Sequence, residues 1–393
     1  MNEIPSVQSD APKGFDPANI DAELLQQNPL LMLLILAFGA GCLLLLSGSL
    51  ASWLYLAIRR VQGKPILEVE RWQPTVWGLA DVLFVVFFVF VGQYIAAIVA
   101  SALLQVELAA ENGAAALELA ALGSLANLSV IVVTLCWLSL RYGIGPTHVG
   151  FTRDLWKVIK IGVLAGLVII PVIYLGNFLV ALQFEVDYKH PLLEALKSKA
   201  TLSSYVLAVF AAAVAAPITE EFFFRGMLQG WLQSIPFSSG PAMIIGAPHH
   251  QRSDPDNQLF YRPVAGPAVT TNANLQPTLL PVDTISTSTQ EPTTDDSMPL
   301  QEDSEHPILD QSSNTGDVIP PIWPSVIAGI LFGLAHWGYG LSFIPLSVLG
   351  IFLGLLYRAT HSLWPCILVH FMLNSSSMIA LGFILLCDHI AGK

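Results

Sequence analysis

Long apolar runs alternate with short polar breaks along most of this chain. Runs of about 18 or more apolar residues have the length of membrane-crossing helices. Eight segments read this way: 30–58, 79–104, 121–140, 158–183, 202–233, 322–338, 341–357 and 363–387. The sixth and seventh are short and close together, which predicts one broken helix pair or a shallow hairpin. Two stretches interrupt the pattern, a polar leader over 1–29 and a segment over 246–321 rich in Pro, Thr, Ser, Asp, Asn and Gln. The second buries too little apolar surface to offset chain entropy and is expected to be disordered. The predicted fold class is therefore all-α, a polytopic membrane helix bundle of about eight transmembrane helices with a disordered acidic insert. Its parts are a polar tail (1–29), N-terminal membrane helices (30–150), a first core segment (151–245), the insert (246–321) and a second core segment (322–390).

Composition agrees with the pattern. The chain is 54% hydrophobic and 12% charged, with a mean hydropathy of +0.62. A soluble domain carries about 25% charged residues, so that class is excluded. The net charge of −12 comes mostly from the insert, which holds eleven acidic and two basic residues. The acidic balance thus describes the insert rather than the membrane core, and no nucleic-acid partner is expected; membrane lipids are. With the amino terminus outside, twelve of the seventeen Lys and Arg residues fall on the inner side, which supports eight spans with both termini outside. The first apolar run is too long for a signal peptide and follows an acidic leader. Cys42, Cys136, Cys366 and Cys387 have neither zinc-site nor disulfide spacing and read as packing residues. His249, His250 and His306, in the insert, read as solvated. Arg153 to Lys160 mixes Trp156 with cations, as an interfacial helix start does.

Three polar clusters stand inside apolar helices. The first is Glu220-Glu221 with Arg225 in the segment 217–225. Carboxylates at membrane depth are costly and are functional candidates by default. Glu221 and Arg225, four apart, share a helix face, while Glu220 points about a hundred degrees away. Arg225 can hold Glu221 ionised, leaving Glu220 as a general base. A plain snorkelling ion pair is the alternative. The second cluster is Phe332 to His336, the third His370 to Asn374. In the third, spacing of four directs an imidazole and an amide at one point, suited to a metal or a developing oxyanion; interhelical polar glue is the alternative. Together the clusters supply a buried carboxylate, two imidazoles and an amide, the inventory of amide hydrolysis by an activated water. His-Glu-x-x-His and Gly-x-Ser-x-Gly signatures are absent.

Glu-Glu-x-x-x-Arg, Phe-x-x-x-His and His-x-x-x-Asn, in this order on successive membrane helices, resemble the CPBP family of intramembrane proteases, which includes type II CAAX prenyl endopeptidases and bacteriocin-processing or immunity proteins. The stretch Tyr357 to Trp364 is also similar to bacterial members, and the resemblance covers roughly 150–390. It implies a glutamate-type endopeptidase in a multi-pass membrane protein, with a bacterial cytoplasmic membrane as the expected setting. Glu220 would be the base, acting with His336 on a water. His370 and Asn374 would stabilise the oxyanion, and Glu221 and Arg225 would structure the site. No cofactor is expected, with zinc as the alternative, and the expected substrate is a peptide or protein that carries a lipid in some members. A silent scaffold or immunity protein of the same fold, or an ion transporter using the glutamate pair, are the competing readings. The insert departs from the family pattern. With Glu220 and Arg225 placed near the inner end of their helix, it is expected to emerge on the cytoplasmic side close to the site.

Overall fold

In the computed structural model the described residues are 28–67, 73–104, 113–152, 154–184, 196, 201–238, 240–247 and 319–390. All belong to one compact unit formed by Met1–Arg262 and Ile319–Lys393; the other unit, Pro263–Val318, lies outside the described residues. Apart from its edges at 246–247 and 319–321, the insert with its expected disorder falls outside them, as do His249, His250 and His306.

Among the described residues every regular element is helical. The helices are α1 (Pro29–Val61), α2 (Leu79–Leu104), α3 (Gly113–Tyr142), α4 (Leu155–Phe184), α5 (Leu202–Phe237), α6 (Gly240–Ile245), α7 (Trp323–Leu334), α8 (Phe343–Thr360) and α9 (Leu363–Ile390). Seven are long and apolar enough to cross a membrane: α1 to α5, α8 and α9. The chain is a multi-pass membrane protein. Its outward faces are apolar, as lipid requires. On α1, Leu43, Leu44 and Leu50 are largely exposed, and the helix buries only Leu31, Ser49 and Ser52.

The expected span at 322–338 is corrected. Its α-helix is 12 residues long, about 18 Å at helical rise, against a hydrocarbon core of about 30 Å. Residues 337–342 wind into a tighter 3₁₀ turn, with Gly340 at φ +70°. α7 and α8 therefore form a hairpin, one of the two arrangements expected for them, in which α8 alone has the length of a span. Its seam is made of small residues. A Cβ on Gly329 would lie 2.3 Å from the Ile351 nitrogen, and one on Gly333 within 2.7 Å of the Ser347 nitrogen. Backbones meet this closely only where side chains are missing. Arg358 at the end of α8 donates from Nε to the Pro320 carbonyl at 2.6 Å, so the hairpin's two ends lie together.

Basic residues mark one end of the bundle. Arg141 closes α3 and donates to the Ile245 carbonyl at the end of α6 (2.7 Å). The link between α3 and α4 is sewn to the link between α8 and α9 through Leu363 N–H to the Gly150 carbonyl (2.8 Å) and Trp364 Nε1 to the Thr152 carbonyl (3.2 Å). α4 starts at this end with Trp156 exposed and Asp154 capping the Lys157 N–H.

Candidate active site

α5 is not a uniform helix. Residues Phe210–Ala215 and Phe222–Gln229 are π-helical, flanking an α turn at Ala216–Glu221. Pro217 explains the first widening, because its ring clashes with the carbonyl four residues back and it has no N–H to give. Ala216 donates to Ala211 in the π pattern. The next such bond would run from residue 217 to the Ala212 carbonyl, and proline cannot make it. Asn374 Nδ2, from α9, takes that place at 2.7 Å. One polar side chain thus repairs a backbone defect three residues from the site. π turns inside α-helices concentrate at functional positions.

The glutamate pair occupies the middle of α5. The helix continues past Arg225 to Phe237, so the placement of the pair near the end of its own helix is corrected. Along α9, however, His370 lies seven residues from the start at Leu363, about 10 Å from the basic end.

Glu221 and Arg225 are both fully buried. Arg225 Nη1 donates to Glu221 Oε1 at 2.9 Å and Nη2 to the Gly350 carbonyl at 3.2 Å. The guanidinium lies 4.6 Å from the Phe332 ring centre, a cation–π contact strengthened by the absence of water. His370 Nδ1 also lies 2.9 Å from Glu221 Oε1. A carboxylate accepts, so the imidazole donates there. One oxygen therefore ties α5 to α9.

Glu220 faces elsewhere. Its side chain is 28% exposed, and Oε2 lies 3.9 Å from both His336 Nε2 and His370 Nε2. His336 is oriented by Nδ1, which is 2.9 Å from the Phe332 carbonyl and must donate to it. In neutral rings the Nδ1–H bonds leave Nε2 as the acceptor nitrogen, and both Nε2 atoms converge on one carboxylate oxygen. Phe332 backs the assembly, its ring 5.1 Å from His336 and 5.5 Å from His370. The structure thus brings Glu220, Glu221, Arg225, His336 and His370 together. Asn374, one turn beyond His370, joins them through the Ala212 carbonyl instead of through a side chain.

A cavity of about 150 Å³ opens beside Glu220, between α2, α3 and α5. Its walls include Val85, Val89, Val130 and Phe224, with Asn127 as a polar member. Sequence reasoning missed these walls and the platform role of Phe332. The spacing of four between Phe332 and His336 was the available signal for the platform; nothing local marked the walls. For a metal, the candidate donors are Glu220, His336 and His370, and they are not spaced as a metal-holding group.

Residues 202–249 and 308–376 match the model of the type II CAAX prenyl endopeptidase Rce1-like family. Over these residues the chain is similar to that family. All three polar motifs fall inside the matched segments, and the break between those segments coincides with most of the insert. Helices α1 to α4 lie outside the Rce1-like match, so the likeness is narrower than the 150–390 of the sequence reading. No curated protein and no solved structure matches the chain.

Proposed function

We propose that this protein is an intramembrane endopeptidase of the CAAX-protease type, hydrolysing a peptide bond near the cytoplasmic membrane face with a water activated by Glu220. The observation that carries the reading is the convergence of two anchored imidazoles on Glu220 Oε2. Separations of 3.9 Å are too long for direct hydrogen bonds and suit a bridging water. In this reading Glu220 takes the proton as the water attacks, and His336 orients that water. The second amide hydrogen of Asn374, and His370 when its Nε2 also carries a proton, support the oxygen that becomes negative in the tetrahedral intermediate. Glu221 and Arg225 hold His370 in position and do not meet the substrate. The apolar cavity beside Glu220 would receive one side of a peptide or protein substrate, lipid-modified or not.

The reaction is proposed to need no metal. Zinc is the alternative; its candidate donors are Glu220, His336 and His370, which are not spaced as a metal-holding group. Cleavage of peptide and prenylated-peptide libraries by purified protein in lipid, compared with Glu220→Gln, tests the proposal. Cleavage lost in the variant supports it. No cleavage by the wild type across broad libraries would turn the reading toward a silent scaffold of the same fold.

A further inference from the structure

α5 carries a buried polar face of which the proposed hydrolysis uses only the first members. Glu221, Arg225, Gln229 and Gln233 recur every four residues, and all four are 0% exposed. The last two have no role in the chemistry above. Burying unpaired amides in a membrane helix is costly, and apolar residues would pack there at less cost.

Their hydrogen bonds are conspicuously incomplete. Gln233 Oε1 and Nε2, Gln229 Oε1, Arg225 Nε and Glu221 Oε2 are buried with no partner among the described residues. The gap is not explained by loose side chains. Gln229 Nε2 donates to the Gly354 carbonyl at 2.8 Å and to Ser325 Oγ at 3.1 Å, which holds its Oε1 in a set direction. Arg225 is likewise held by Glu221 and Gly350. The face runs along the glycine seam of the α7–α8 hairpin, where a Cβ on Gly354 would come within 2.9 Å of Gln229 Oε1.

Orphaned buried polar atoms in native proteins usually have ordered water as their partner. Successive rungs are roughly 6 Å apart along the helix, a span that water molecules linked by hydrogen bonds of about 2.8 Å can bridge. Between Glu221 and Arg225 a direct bond already closes part of the gap, so the bridging is needed at the orphaned atoms from Glu221 Oε2 and Arg225 Nε to Gln229 and Gln233. We propose that a file of internal water molecules runs along this face, from Gln233 one turn before the end of α5 to Glu221. At Glu221 the file meets the carboxylate that holds His370, whose Nε2 faces Glu220. Resting on the protease reading, the file supplies the water consumed with each peptide bond, by a route separate from the apolar cavity.

A structure of the full chain in lipid nanodiscs, at a resolution that shows ordered water, tests the file directly. Density within about 3 Å of the Gln233 amide and Gln229 Oε1 is expected. A dry face, with these amides paired to protein groups, overturns it. In turnover, Gln233→Leu is expected to lower kcat about tenfold with KM unchanged, and Gln233→Asn to recover most of the loss. Unchanged kcat in Gln233→Leu removes the supply role. If that variant does not fold, the wild-type water density still decides. Ordered water without cleavage of any peptide keeps the file and removes the protease reading; cleavage with a dry face removes the file alone.

Discussion

Glu221 Oε1 lies 2.9 Å from Arg225 Nη1 on its own helix and 2.9 Å from His370 Nδ1 on α9. A single carboxylate oxygen thereby serves a local ion pair and a contact across the bundle. Because both charges are fully buried, removing one strands the other. Arg225→Ala is expected to destabilise the protein by about 3–5 kcal/mol, read as a lower thermal midpoint in detergent or lipid. A midpoint equal to wild type would show that the buried ion pair adds no net stability.

Glu220 is the contrasting case, partly exposed, and its nearest side-chain partners among the described residues, His336 and His370, lie 3.9 Å away. Glu220→Gln should change stability by no more than about 0.5 kcal/mol while lowering peptide cleavage about a hundredfold or more. Melting and turnover on the same preparation separate the two. Cleavage at the wild-type rate would assign the base to another residue.

Asn374 has a backbone partner that proline creates. Asn374→Leu leaves the Ala212 carbonyl unpaired in the interior, at a cost of about 1–3 kcal/mol. Faster amide hydrogen exchange around Phe210–Ala215 is the expected signature. Equal exchange, with activity alone reduced, would place Asn374 at the oxyanion and nowhere else.

The hairpin seam admits no side chain at Gly329, where a Cβ would fall 2.3 Å from the Ile351 nitrogen. Backbone cannot yield as a flexible side chain does. Gly329→Val is expected to cost about 1–3 kcal/mol or more and to move His336 away from Glu220, so both folded yield and cleavage should fall. A stable, active variant would mean that α7 and α8 pack less closely than this.

Stringent chelation separates the proposed chemistry from zinc catalysis. Cleavage is expected to persist after chelator and dialysis. Loss of activity, restored by added zinc alone, would assign Glu220, His336 and His370 as metal ligands.

Hydropathy and periodicity alone determined seven of the eight expected membrane helices and the pairing of Glu221 with Arg225. These follow from hydropathy and from 3.6 residues per turn, both local properties of the chain. The motif residues were legible for the same reason, since uncompensated polar groups stand out against apolar helices. The tertiary structure decided what no local rule contains. Whether 322–338 crosses a membrane depended on the 3₁₀ turn after Leu334, and its approach to α8 on glycines facing glycines across the seam. That His370 reaches Glu221 while Asn374 reaches the Ala212 carbonyl depended on Pro217 widening α5 and on how α9 is rotated against it. Contacts between helices are set by rotation and distance, which the order of residues along one helix does not specify.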